Sequence, residues 1–172
     1  TAALHLAQLA IKSNKKKKVV TTPISFLATS NSIIYTNNRP VFSDIKSDDF
    51  TLDPICLQKT IEKNKDCEGV IPVHLGGVVC DMQEIYATAK KNNMWIIEDA
   101  CHSIGTIWED KNGQEYKVGD CSFSDLTTFS FHPVKHITTG EGGAITTNSK
   151  HLYDKLILLR SHGMVKNEHG MR

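Results

Sequence analysis

Two stretches of this sequence concentrate side chains able to do chemistry. One is "FSFHPVKHITTGEGG", residues 129–143, where Lys135 follows an alternating aromatic strand and a proline, stands between His132 and His136, and precedes a glycine cluster. The other is "IIEDACHSIG", residues 96–105, where an apolar strand run ends in two acids, the second of them Asp99, and His102 follows three residues later. In open α/β sheets, ligands bind at the carboxyl ends of strands, and Asp99 and Lys135 both stand at such exits. Each has a plain reading beside the chemical one. Asp99 serves equally as a helix-cap or turn carboxylate, Lys135 as a solvated surface charge, and His102 as a turn histidine satisfied by its neighbours.

One cofactor chemistry needs both stretches. Pyridoxal 5'-phosphate requires a lysine amine for its Schiff base, a carboxylate against its pyridine nitrogen and donors around its phosphate. The carboxylate keeps the ring nitrogen protonated, so the ring accepts electrons from the substrate carbon. The lysine must give up its proton, which partial desolvation favours. Spacing by itself says only that Asp99 and Lys135 can converge from neighbouring strand ends. A metal site from His102, His132 and His136 is the weaker reading. Pro133 interrupts any helix that would align the last two, and no acid or cysteine completes the set; no metal is expected.

The elements that must position these groups follow from the pattern. Helices are expected over 1–12, 25–37, 53–64, 81–93 and 149–163, and strands over 18–23, 39–45, 68–75 and 94–99. The second helix would gather Phe26, Leu27, Ile33 and Ile34 near one side. Asp53 caps the third, with Pro54 at its first position. Asp81 and Glu84 form a box-like start to the fourth, and Gly163 caps the end of the fifth. Strand and helix alternate from residue 18 to 98, the signature of a mostly parallel sheet with helices on both faces. Beyond residue 105 the sequence makes an excursion, read as a hairpin about Asn112-Gly113. Short strands follow in "CSFSD", "TTFSFH" and "GGAITTN".

Composition narrows the classes. The net charge is +1 over 172 residues, so no global excess points to nucleic acid. The basic run from Lys15 to Lys18 reads as a solvated connection. Cys56, Cys67, Cys80, Cys101 and Cys121 are scattered, odd in number and free of CxxC spacing, as for reduced thiols in the cytoplasm. No segment approaches a membrane span and no signal peptide is visible. The chain opens at "TAALHLAQLAI", already in helical register, and closes at "LLRSHGMVKNEHGMR" with no closing element. Both ends read as continuing into something longer.

The motifs "TAALHLAQLA", "TTPISFLATSNSI", "PVFSDI", "VIPVHLGG", "IIEDACHSIG", "TTFSFHPVKHITTGEGGAITTN" and "LLRSHG", together with a "GD" pair, occur in an order that resembles the DegT/DnrJ/EryC1/StrS sugar aminotransferases. The resemblance spans nearly the whole chain. It implies the α/β large domain of the pyridoxal-phosphate transferase fold type I, aspartate-aminotransferase-like, truncated at both ends. Residues 1–172 would be a partial cofactor-binding domain, with the C-terminal small domain absent. "TTPISFLAT" and "FSFHPVKHITTGEGG" are most similar to the transaminases of pseudaminic acid biosynthesis. That branch implies amination at C4 of a UDP-linked 4-keto-6-deoxy-N-acetylhexosamine, glutamate as amino donor, and a homodimer whose sites draw on both subunits.

The resemblance also implies roles. Lys135 resembles the Schiff-base lysine and Asp99 the carboxylate on the pyridine nitrogen. His102 takes the place of a glutamine near the ring oxygen. Phe26 resembles the aromatic stacked on the ring, although sequence alone favours a core aromatic there. Thr1 and Ala2 match a phosphate-binding helix start, and Ser130 a hydroxyl reaching the same phosphate, where its bland reading is an ordinary strand residue. Some relatives are dehydratases with histidine in place of the lysine. Lys135 is retained here, which favours transamination. His74 is placed at the active-site end of the sheet without a role.

Overall fold

In strand after strand, consecutive apolar residues part to opposite sides of one sheet. The computed structural model describes residues 1–13, 15–164, 166, 167, 170 and 171. Its first half runs α1 (Ala2–Ile11), β1 (Lys18–Thr21), α2 (Ala28–Tyr35), β2 (Arg39–Phe42), α3 (Pro54–Lys63), β3 (Cys67–Ile71), α4 (Met82–Lys91) and β4 (Trp95–Asp99). The second half adds β5 (Ile107–Glu109), β6 (Glu115–Lys117), β7 (Leu126–Ser130), β8 (Gly143–Thr146), α5 (Lys150–Arg160), β9 (Lys166–Asn167) and β10 (Gly170–Met171). The main sheet has the order β2-β1-β3-β4-β7-β8. All neighbours are parallel except β7 and β8, which are antiparallel.

Side chains alternate across a strand, so Val19, Ile71 and Ile97 enter one apolar layer and Val20, Val70 and Ile96 the other. The first layer is closed by Leu4 and Ala7 of α1, Ile33 of α2, and Leu152 and Leu156 of α5. The second is closed by Leu57 and Ile61 of α3 and by Ile85 and Ala89 of α4. Each fully buried aliphatic side chain contributes about 1.5–3 kcal/mol. Two layers explain why the strands are continuously apolar rather than alternating.

The expected caps form at α3 and α5. Asp53 accepts from the Ile55 N–H at 2.7 Å with Pro54 at the first helical position. Gly163 adopts φ +72 and donates its N–H to the Leu158 carbonyl at 2.9 Å. The excursion is the hairpin β5–β6, turning at Gly113 with φ +78. Trp108 stacks on Tyr116, and both rings lie against Phe123.

Four expectations are corrected. "CSFSD" is a turn, not a strand: Cys121 takes φ +55, and the Asp120 carboxylate accepts from the N–H groups of Lys117 and Ser122. Such side chain–backbone bonds compete with a strand ladder. α2 begins only at Ala28, and Phe26, Leu27 and Ile34 are exposed while Ile33 is buried, so no common apolar side forms. Asp81 caps α4 by position without a side-chain bond; it pairs with Lys46, and Glu84 with Lys111. The tail read as lacking an element carries the short antiparallel pair β9–β10.

Candidate active site

At the carboxyl end of the sheet, one concavity of about 1030 Å³ gathers Thr1, Ala2, Phe26, Asp99, His102, Ser130 and Lys135. These seven residues come from four places. Thr1 and Ala2 start α1, Phe26 lies between β1 and α2, Asp99 and His102 leave β4, and Ser130 ends β7 ahead of the Lys135 loop. The parallel order of β1, β3, β4 and β7 brings all these exits to one edge.

Asp99 is 5% exposed. Its Oδ2 accepts from Thr29 Oγ1 at 2.7 Å and its Oδ1 from the Cys101 N–H at 3.3 Å. Its backbone is held on both sides, with N–H to the Pro72 carbonyl at 2.9 Å and carbonyl to the His74 N–H at 3.0 Å. Among the described residues no lysine, arginine or histidine forms an ion pair with it. Buried charges are ordinarily paired, so this carboxylate is suited to a ligand that brings a cationic donor.

Lys135 is half-buried on a closed loop. Its N–H bonds the His132 carbonyl at 2.9 Å across the Pro133-Val134 turn. The loop is pinned at Phe131, whose N–H reaches the Gly142 carbonyl at 2.9 Å and whose carbonyl accepts from Thr139 at 3.0 Å. Gly143 then enters β8 so close to β7 that a Cβ there would meet the Phe129 carbonyl oxygen at 2.6 Å.

His102 accepts the Gly76 N–H at Nδ1, 3.2 Å away, which leaves Nε2 as the protonated donor. Burial and the Lys135 charge lower its basicity against the opposing pull of Asp99, so the ring is a neutral N–H donor at neutral pH. Cys101, the cysteine in the concavity, has its thiol pushed well up by burial and by Asp99. It stays protonated and is a poor nucleophile.

Thr1 is the N-cap of α1 with no side-chain cap bond, so the first N–H groups of the helix are open to an anion. Ser130 Oγ accepts only weakly from the His132 N–H, at 3.4 Å. Phe26 is 73% exposed, which sets aside the core reading; its ring is available to a flat ligand. His132 also lines the concavity, whereas His136 is not among its lining residues. Among the described residues no group of three or more His, Cys, Asp or Glu could hold a metal, and no helix is long and apolar enough to cross a membrane.

His74 does stand at the active-site end, but its side chain is fully buried away from the concavity, on Glu98. Sequence reasoning passed over Thr29. Its signal was its position three residues after Phe26, in the first turn of a helix where a hydroxyl reaches neighbouring chain ends.

The model of the DegT/DnrJ/EryC1/StrS aminotransferase family matches residues 1–172. The chain is 46% identical, over 96% of its length, to the UDP-4-amino-4,6-dideoxy-N-acetyl-beta-L-altrosamine transaminase of Campylobacter jejuni, covering 42% of that protein. It superposes with a TM-score of 0.84 and 34% identity on PseC of Helicobacter pylori, an aminotransferase involved in the biosynthesis of pseudoaminic acid, covering 97% of this chain and 43% of that one. Spr1654 of Streptococcus pneumoniae, described as a "putative sugar aminotransferase" and solved in its PLP form, gives a TM-score of 0.84 at 26% identity, covering 99% and 46%. The chain thus spans about 40% of the length of the curated relatives it matches.

Proposed function

The chain belongs to the DegT/DnrJ/EryC1/StrS aminotransferase family, and we propose that it carries the cofactor side of a pyridoxal-phosphate-dependent sugar-nucleotide aminotransferase. In this reading the acceptor is a UDP-linked 4-keto-6-deoxy sugar, the donor is glutamate, and the enzyme works as a cytoplasmic homodimer. The observation that carries it is the pairing of opposites in one concavity: a buried carboxylate that forms no ion pair among the described residues, Asp99, and a half-buried amine, Lys135.

The donor set fits pyridoxal phosphate. Asp99 would accept a hydrogen bond from the ring nitrogen, His102 Nε2–H would donate to the ring oxygen, and Phe26 would cover a ring face. The N–H groups at the start of α1, from Thr1 and Ala2, and the Ser130 hydroxyl would hold the phosphate. When bound, the group supplies the electron sink that makes amino transfer between two carbons feasible. Lys135 Nζ would take the proton from the donor carbon and return it to the acceptor carbon, a task for an amine held on a closed loop. The low basicity of His102 keeps it a donor rather than a second cation beside Lys135.

The test uses the full chain. The unmodified protein should bind pyridoxal phosphate saturably, with the visible absorbance of a lysine-bound cofactor, and should turn glutamate into 2-oxoglutarate with a UDP-linked 4-keto sugar. Lys135→Ala should lose both the absorbance and the turnover. Persistence of the absorbance in that variant would sink the lysine assignment, and turnover on GDP-linked sugars alone would sink the UDP reading.

A further inference from the structure

The two walls of the proposed ring slot, Phe26 and Asp99, are tied together by one hydroxyl. Thr29 lies in the first turn of α2 and is 1% exposed. Its Oγ1 is 2.7 Å from Asp99 Oδ2, 2.7 Å from Ser25 Oγ and 3.2 Å from the Phe26 carbonyl oxygen. The Thr29 N–H also bonds that carbonyl, at 3.1 Å.

Counting protons fixes the direction. Thr29 has one hydroxyl proton and three oxygens within reach, Asp99 Oδ2, Ser25 Oγ and the Phe26 carbonyl, and the carboxylate at 2.7 Å is the strongest acceptor. The Phe26 carbonyl already holds the Thr29 N–H, so it does not depend on the hydroxyl. Ser25, which lines the concavity, is the remaining donor for the Thr29 oxygen. The order is therefore Ser25 to Thr29 to Asp99, running from the loop that carries Phe26 to the carboxylate.

We propose that Thr29, supported by Ser25, is the positioning residue that sets the Asp99 carboxylate relative to the Phe26 loop. This rests on the functional reading above and goes beyond it: the hydroxyl, not merely the volume, of this buried side chain strengthens cofactor binding. A carboxylate rotates about its terminal bond with little resistance. The Cys101 N–H at 3.3 Å is a long restraint on one oxygen, and the Thr29 hydroxyl at 2.7 Å is the short restraint on the other. Valine would fill the same space and leave that oxygen unrestrained and unsolvated.

The test compares Thr29→Val, Thr29→Ser and Ser25→Ala in the full chain, titrated with pyridoxal phosphate. Three quantities are read: the Kd, the pH midpoint of the bound cofactor's absorbance, and the Tm of the cofactor-free protein. Thr29→Val should raise Kd about tenfold, as for loss of one hydrogen bond to a charged group, and should move the pH midpoint. Thr29→Ser should stay within about twofold of the unmodified protein, and Ser25→Ala should fall between. The cofactor-free Tm of Thr29→Val should fall below that of Thr29→Ser, because the Asp99 oxygen loses its donor with or without cofactor, so the pH midpoint is the readout that a merely structural role would not move. Equal binding by Thr29→Val and the unmodified protein overturns the proposal alone, as does an equal loss in Thr29→Ser and Thr29→Val, or a loss matched by a fall in the cofactor-free Tm with an unmoved pH midpoint. Failure of the unmodified protein to bind the cofactor overturns the functional reading, and this proposal with it.

Discussion

His74 Nε2 lies 2.7 Å from Glu98 Oε2 in the buried layer behind the strand end that carries Asp99. Glu98 and Asp99 are consecutive, so their side chains leave β4 on opposite sides, and the pair braces the strand from the side away from the concavity. Glu98 Oε1 also accepts from the hydroxyls of Ser124 and Thr127, and the His74 backbone N–H bonds the Asp99 carbonyl. Burial alone would raise the Glu98 carboxyl, but these donors outweigh it and hold it below its ordinary value. The Cys80 N–H points at His74 Nδ1, 3.3 Å away. A second proton on that nitrogen would face this N–H, so the geometry opposes the rise in basicity that the carboxylate next to His74 would bring. We take the ring as neutral, with Nε2–H donated to Glu98.

Removing the ring takes the donor from Glu98 Oε2 and leaves only the two hydroxyls on Oε1. His74→Ala should destabilise the protein by about 2 kcal/mol, as for loss of a buried hydrogen bond to a charged group, read by urea denaturation of the cofactor-free chain. The lowered Glu98 carboxyl contributes stability that is present above its unfolded value of 4.5 and lost as pH falls through the folded value. Glu98→Gln should therefore weaken the pH dependence of unfolding below 4.5. An unchanged acid limb in that variant would show that Glu98 is not the titrating group.

His102 titrates in a different window. Its folded value is below the ordinary 6.5, so the unfolded chain takes up a proton first as pH falls. Stability from this group is intact above 6.5 and declines from there down to the folded value. The physical event is loss of the Nδ1 acceptor for the Gly76 N–H. Thermal unfolding from pH 7 to pH 5 should show a smaller decline in His102→Gln than in the unmodified protein. An identical decline would remove His102 as its source.

Much of the fold was legible because adjacent residues carried it. Val19-Val20, Val70-Ile71 and Ile96-Ile97 announced strands buried on both faces, and Asp53-Pro54 announced where α3 begins. The concavity was legible through Asp99 and Lys135, since strand exits attract ligands. What stayed hidden depended on contacts between distant residues. "CSFSD" has strand composition, but its course follows from the Asp120 side chain and the left-handed backbone at Cys121. Thr29 looked like any helix hydroxyl until folding brought Asp99 within 2.7 Å. The exposure of Phe26 ran against its composition for the same reason: α2 starts later than its apolar residues suggest, so the aromatic stays in the loop over the sheet end.

The tightest backbone approach near the Lys135 loop gives the last prediction. Gly143 pairs with Ser130 at the start of β8, and an added Cβ would lie 2.6 Å from the Phe129 carbonyl oxygen. That neighbour is backbone in a buried strand and has no rotamer through which to yield. Gly143→Ala must push β8 away from β7, and it strains the Phe131–Gly142 bond that closes the loop. The substitution should cost about 1–3 kcal/mol, or about 2–12 °C in Tm for a chain of this size. The displaced loop should also move Lys135, so cofactor affinity should fall at temperatures where the variant is still folded. Gly140→Ala is the control on the same loop: its Cβ meets nothing within 4 Å, although φ is +77, so its cost is confined to local backbone strain of about 1 kcal/mol. Calorimetry of the cofactor-free proteins and a pyridoxal phosphate titration below both transitions measure the two effects. Equal affinity in both variants would separate the β7–β8 approach from the placement of Lys135.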